Sequence, residues 1–317
     1  MKYRQITSEQ RYMLAALRAQ GLRASEIARV LGCHRSTVGR ELARNSTPWD
    51  GCYRPGKAQE FSNGRRSRSR RNQRFTAQDL ARVDCLLHRR WSPEQISGRL
   101  ALDRSLSISH ETIYRHVWRN KKAGGDLHLY LRCAQKQRRK GYRHYDSRGR
   151  LAGKRHISER PASVESRREF GHWEVDTVMG KGSRDCILSL VERKTGLVVI
   201  GKLPSRTTIA VNARAINLIA GRRTMFKTIT ADNGTEFHNY PEIEKRTSTT
   251  FYFANPYHSW ERGTNENTNG LIRQYLRKGT TMKGLTQRGC TAIAADLNTR
   301  PRKRLGYKTP LECLHEN

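Results

Sequence analysis

No two cysteines of this chain stand close enough in sequence to form a Cys-x-x-Cys pair. The seven lie at 33, 52, 85, 133, 186, 290 and 313, which supports neither a zinc ribbon nor a redox dithiol and leaves free thiols as the expectation. Long apolar runs are missing as well. Nothing approaches the roughly 18 consecutive apolar residues of a membrane span, and the opening MKYRQITSEQR has no apolar signal region. A soluble, cytoplasmic protein without a membrane partner is expected. No repeat of fixed period is visible.

Acidic residues are scarce. Asp and Glu number 28 against 62 Lys and Arg, a net charge of +34. A chain this basic repels itself when compact unless a polyanion neutralises it, and each phosphate contacted releases condensed counterions. DNA is therefore the expected partner. Residues 1–160 carry 37 basic against 13 acidic side chains and residues 161–317 carry 25 against 15, so the front half is expected to hold most of it. Charge alone fits a chromatin-like protein without chemistry equally well. Apolar residues cluster in the final 150, where a real core can form.

What is present reads first as helices. Thr7-x-x-Gln10 has capping-box form, Gly21 ends a first helix, Ser25 is placed to cap a second, and Gly32 supplies a tight turn. A third helix runs from about Arg35 to Asn45, burying Val38 and Leu42 and offering Arg35, Ser36, Thr37 and Arg40 outward. This is helix-turn-helix spacing, with the second helix of the pair in the major groove; a plain three-helix bundle has the same pattern. Residues 1–50 are assigned to this module and 51–75 to a basic linker, whose FSNGRRSRSRRNQRF segment (61–75) reads as a flexible arm along phosphates. A second helical module is expected over 76–125. Ser92-Pro93-Glu94-Gln95 opens one of its helices and Ser109 another, which presents His110, Thr112 and Arg115. Either a second helix-turn-helix or a purely structural domain fits. A second basic linker follows over 126–165.

From residue 171 the period changes to that of strands. In HWEVDTVM, Trp173, Val175 and Met179 share one face and Asp176 lies on the other. DCILSLVERKTG and LVVIGKL form two more strands, a helix covers about 207–220, FKTITADNG ends a fourth strand at Asp232, TTFYFA is a fifth, and a helix near Asn265 carries Glu266. That order is the order of an α/β ribonuclease H-like core, a mixed five-stranded sheet with helices, assigned to 166–317 behind all-α helix-turn-helix modules. Asp176, Asp232 and Glu266 can converge at one sheet edge there. Clustered carboxylates stay ionised only with cations among them; hard oxygen donors suit Mg²⁺, with Mn²⁺ as a substitute. Two such ions suit in-line phosphoryl displacement. Glu174, Glu236 and Glu261 are the nearby rivals for the third position.

The segments HWEVDTVMGKGS, LVERKTG, ITADNGTEF, NPYHSWERGTNENTNGLIRQYLRKGT and LNTRPRKRLGYKTPLECL resemble the catalytic core of the IS-thirty family of insertion-sequence transposases, within the larger group sharing a retroviral-integrase-like core. The 33 residues between Asp232 and Glu266 match the family's spacing. The resemblance implies that Asp176, Asp232 and Glu266 are the metal-binding catalytic triad. It implies binding of terminal inverted repeats and target DNA, synapsis by a homo-oligomer, and strand cleavage and transfer without a nucleotide cofactor. A catalytically silent DNA-binding repressor derived from such an enzyme is the alternative. His258, Trp260 and Arg262, before the Glu266 helix, are placed to touch DNA, or else to pack beneath it and pair with an acid. Lys278 is placed to hold a phosphate, or to lie on a solvated face. Asn298, Arg300, Pro301 and Arg302 match the resemblance without an assignable role.

Overall fold

The computed structural model describes residues 5–71, 75–132, 153–182, 184–255 and 258–316. Its chain divides into two compact units, 1–77 and 78–317.

In the first unit, helices α1 (Ser8–Ala19), α2 (Ala24–Val30) and α3 (Arg35–Asn45) follow the expected pattern. Thr7 and Gln10 form the reciprocal cap of α1. Helix α2 begins one residue before Ser25, because the Glu26 carboxylate accepts the Arg23 N–H at 2.7 Å and makes the cap itself. Leu14, Ile27 and Val38 are buried between the three helices. The reading of 51–75 as a linker is corrected: Pro55–Arg71 is a fourth helix, α4. Ala58 on it is fully buried. Arg11, itself buried, donates to Glu41 at 2.6 Å and to Gln59 at 2.7 Å, joining α1, α3 and α4. A helix this polar takes its stability from such docking rather than from an apolar stripe, which is why composition alone mistook it for an arm.

The second unit opens with α5 (Ala77–His88), α6 (Pro93–Leu102) and α7 (His110–Lys122), packed on Val83, Leu87, Ile96, Leu100, Ile113 and Val117. Ser92 and Ser109 are the N-caps, as expected. These helices are not a free-standing domain. Arg99 pairs with Glu312 at 2.7 Å, Arg300 Nε donates to Gln95 Oε1 at 2.8 Å, and the Tyr307 ring lies against Gly98. A Cβ at position 98 would come within 2.4 Å of that ring, so only glycine permits the contact. Of the expected linker 126–165, residues 133–152 lie outside the described residues. Its described flanks are packed: Leu127 and Val164 are buried, and Arg160 Nη1 donates to Thr230 Oγ1 at 2.9 Å.

The sheet comprises β1 (His172–Met179), β2 (Cys186–Glu192), β3 (Val198–Leu203), β4 (Thr228–Ala231) and β5 (Thr250–Phe253), ordered β3-β2-β1-β4-β5. The first three are antiparallel, while β4 and β5 run parallel to β1. Helices α8 (Thr208–Ala220) and α9 (Tyr240–Thr247) cover the face of Trp173, Val175, Leu188 and Leu190. Helices α10 (Gly263–Ile272) and α11 (Gln287–Asn298) cover the face of Val178, Ile187 and Val191. A short α12 (Pro310–His315) closes the chain. This is the expected ribonuclease H-like core. Among the described residues no helix is long and apolar enough to cross a membrane.

Candidate active site

Register brings the two aspartates together. Glu174 of β1 is paired with Thr230 of parallel β4, so two residues further on Asp176 and Asp232 reach the same level on neighbouring strands, which run about 4.8 Å apart. Asp232 directly follows β4, where Asn233 and Gly234 turn the chain away. Its Oδ1 accepts the Gly234 N–H at 2.9 Å. Asp176 Oδ1 accepts the Thr177 N–H and its Oδ2 accepts Asn269 Nδ2 from α10, both at 2.8 Å. Burial raises the Asp176 carboxyl to about 6, with Arg262 opposing and the Asp232 and Glu236 charges reinforcing the rise.

Arg262, the residue before α10, stands across this pair. Its Nη2 lies 3.2 Å from Asp232 Oδ2 and its Nη1 3.9 Å from Asp176 Oδ1, while Nη1 also donates to the Val175 carbonyl. Of the two expectations for Arg262, pairing with an acid is the one seen. Two adjacent carboxylates need a cation, and this guanidinium is the one beside them.

Glu266 sits in the first turn of α10 and is exposed. Its neighbours one turn away on the helix surface are Arg262 and Asn269, and both contact the aspartate pair. The carboxylate itself is not drawn in. Among the described residues no group of three His, Cys, Asp or Glu side chains stands in metal-holding geometry. The structure thus brings two of the three expected acids together and leaves the third on the adjoining helical turn. In chemical type the set fits a hard divalent cation: carboxylate oxygens only, with a third acid exposed on the adjoining helical turn.

The rival acids have other partners. Glu174 is fully buried, pairs with Arg193 at 2.6 Å and accepts the Asn265 N–H at 2.8 Å, anchoring the start of α10. Glu261 accepts from the Asn255 backbone and side chain and closes the loop before α10. Glu236 is buried. Its Oε1 accepts from Thr177 Oγ1 at 2.8 Å, and among the described residues its Oε2 has no hydrogen-bond partner. Sequence reasoning undervalued Glu236 and missed Asn269. The Asn265-x-x-x-Asn269 pair, four residues apart beside Glu266, was the available signal: both amides meet Ser189 Oγ beneath the helix.

The expected DNA-contacting residues are mostly at the surface. On α3, Arg35, Ser36 and Arg40 are exposed and Thr37 half-buried; Arg40 Nε donates to the Ser36 carbonyl. On α7, His110 and Arg115 are exposed, whereas Thr112 is half-buried beside its N-cap, Ser109. His258 stacks on Trp260 with ring centroids 4.3 Å apart, and Trp260 is 69% exposed rather than packed under the helix. Lys278 is exposed.

The fold is thus a ribonuclease H-like core with two aspartates at one level on the neighbouring central strands β1 and β4, preceded in sequence by a helical module. Residues 2–45 match the model of a helix-turn-helix domain. The chain is 42% identical over 307 residues to the transposase of insertion sequence element IS4351 from Bacteroides fragilis, covering 97% of this chain and 94% of the relative. It is 35% identical to the IS1086 transposase of Cupriavidus metallidurans, with 99% and 95% covered, and 35% identical to transposase InsI of IS30A from Escherichia coli, with 97% and 82% covered. Among solved structures, the catalytic core domain of BIV integrase aligns with a TM-score of 0.36 at 22% identity, over 47% of this chain and 95% of that one. The chain belongs to the IS30-type family of insertion-sequence transposases. It is thus a transposase, an enzyme of the polynucleotidyl-transferase type that binds DNA.

Proposed function

We propose that this transposase recognises the terminal inverted repeats of its own element, hydrolyses a strand at each end, and uses the freed 3′-hydroxyl to attack a target phosphodiester. The helices of 1–50 read the repeat through Arg35, Ser36, Thr37 and Arg40, and α7 adds His110, Thr112 and Arg115. His258, Trp260 and Lys278 hold the strand near the cutting edge. Two ends are joined by at least two copies of the chain, acting on DNA in the cytoplasm. No nucleotide cofactor is needed, because each step exchanges one phosphodiester bond for another or for water.

Asp176, Asp232 and Glu266 would hold Mg²⁺, with Mn²⁺ as a substitute, supplying Lewis-acid stabilisation of the attacking and leaving oxygens. Asn269 orients the Asp176 carboxylate, the Gly234 N–H orients Asp232, and the Arg262 guanidinium beside them favours their ionised form. The observation that carries this reading is the common level of Asp176 and Asp232 on adjacent parallel strands. The test is nicking of an end-containing oligonucleotide with and without Mg²⁺, beside Glu266→Gln. Mg²⁺-dependent nicking by the wild type alone supports the proposal. Equal binding with no nicking by either protein would make the chain a silent repressor instead.

A further inference from the structure

Arginines crowd one side of α10, and among the described residues none of Arg132, Arg167, Arg300, Arg302 and Arg304 forms an ion pair; Glu174 and Glu192 act on Arg167 and Arg304 only through their longer-range charge. Arg300 is 1% exposed, yet its guanidinium donates only to neutral amides, Gln95 Oε1 at 2.8 Å and Gln274 Oε1 at 2.7 Å. Arg302 donates to the Leu297 carbonyl, Arg304 to the Lys194 carbonyl, and Arg132 to Asn267. The Arg167 side chain makes no hydrogen bond or ion pair among the described residues. Burial, with neighbouring arginines adding to it, pulls Arg300 down to about 9 and Arg302 to about 10. A guanidinium buried as Arg300 is, with neutral partners and further arginines beside it, is unfavourable unless an anion from outside joins the group.

An open groove of about 610 Å³ lies where these side chains gather, lined by Arg132, Arg167, Arg302 and Arg304. Its one acid among the described residues, Glu94, is already paired with Lys303 at 2.6 Å. The N-terminal turns of α6 and α10 border it through Ser92, Gln95, Thr264 and Asn267, so two positive helix ends add to the guanidinium charge. Thr264 Oγ1 is buried at the wall with no partner. Arg132 reaches across α10 because residue 270 is glycine: a Cβ there would lie 2.5 Å from its Nη2.

The shape is a channel and the chemistry is that of bidentate phosphate recognition. The wall facing it is the first turn of α10, the turn that carries Glu266. We infer that the groove between the N-termini of α6 and α10 binds the phosphodiester backbone of a DNA strand through Arg132, Arg167, Arg302 and Arg304, one helical turn from the cutting site. This deepens the proposed function, on which it rests, and gives the docked α5–α7 module a role as one wall of the strand channel. It also assigns Arg300 and Arg302, which the sequence left without a role: Arg302 as a phosphate ligand, Arg300 as the buried charge behind it.

The test measures DNA affinity of the full chain against salt, for an end-containing and an unrelated duplex. Arg132→Gln/Arg167→Gln/Arg304→Gln is compared with Arg222→Gln/Arg223→Gln/Lys245→Gln, equal in charge but remote from the groove. Each lost phosphate contact lowers the slope of log affinity against log salt by about 0.9. The groove triple is expected to lower the slope by about 2 or more relative to the control triple, weakening both duplexes alike and preserving the preference for the end. Arg167→Gln alone removes no internal bond, so a drop of about 0.9 is expected with an unchanged melting temperature. Slopes equal to the control in both groove variants would overturn the inference. Wild-type protein that binds DNA but fails to nick would instead count against the proposed catalysis, leaving the groove standing.

Discussion

Arg262 lies 3.2 Å from Asp232 and 3.9 Å from Asp176, its guanidinium set beside both carboxylates. Removing it leaves two half-buried carboxylates facing each other. Arg262→Gln is expected to lower the stability of the cation-free protein by about 1–3 kcal/mol and to tighten Mn²⁺ binding. Thermal unfolding and Mn²⁺ electron paramagnetic resonance check the two halves; unchanged Mn²⁺ affinity would show that the arginine and the ion do not compete.

Asp176→Asn, Asp232→Asn and Glu266→Gln are each expected to reduce strand cleavage at least about a hundredfold, near 3 kcal/mol of barrier, with DNA affinity within about twofold of wild type. Asp176→Asn has a second signature. The folded carboxyl titrates near 6, above its ordinary value of 3.8, so the folded state binds the extra proton between those values and stability falls as pH rises through that window. Without cations at pH 7.5, Asp176→Asn should therefore melt higher than wild type, by on the order of 1–3 kcal/mol. The advantage should vanish below pH 4.

Glu174 separates architecture from chemistry. It shares a strand face with Asp176, but its carboxylate is spent on Arg193 and the Asn265 N–H. Glu174→Gln leaves the buried Arg193 guanidinium with only the exposed Glu165 as a charge partner, at 3.1 Å, and about 1–3 kcal/mol of stability should be lost. Calorimetry checks this. Full stability with lost cleavage would move Glu174 into the catalytic set.

The Arg99–Glu312 pair gives the docking of α6 a pH dependence. Its hydrogen bonds to Arg99 lower the Glu312 carboxyl to about 2 from an ordinary 4.5. The pair's contribution is complete above 4.5 and is lost as pH falls from there through 2. Arg99→Gln should flatten the acid limb of the stability profile across that window, read by thermal unfolding at successive pH values.

Trp260 presents an exposed ring stacked on His258. Trp260→Ala should weaken binding of a frayed or single-stranded end by about 1–3 kcal/mol, while the melting temperature of the free protein stays the same. Equal affinity for that DNA would remove Trp260 from the interface.

The catalytic sheet was legible because its signals are local. Alternation in HWEVDTVM set the faces of β1, and Asp-Asn-Gly marked the end of β4, so the neighbouring levels of Asp176 and Asp232 followed from fold order. What stayed hidden depends on distant partners. Helix α4 is charged along its length and is recognisable only by its docking through Ala58 and Arg11. The attachment of α6 to the C-terminal segment joins residues some 205 to 213 apart, and no window of sequence contains both ends. That Glu266 is exposed on its helical turn is likewise something spacing does not encode.

The fit of Tyr307 over Gly98 bears on how members of this family can trade parts. A chimera that takes another relative's DNA-reading front end and joins it at the start of the sheet would set a foreign α6 against a resident C-terminal tail, and any larger residue at position 98 would jam. A junction near residue 77 leaves glycine and ring from the same parent, so natural mosaics and engineered hybrids should both have their seams there.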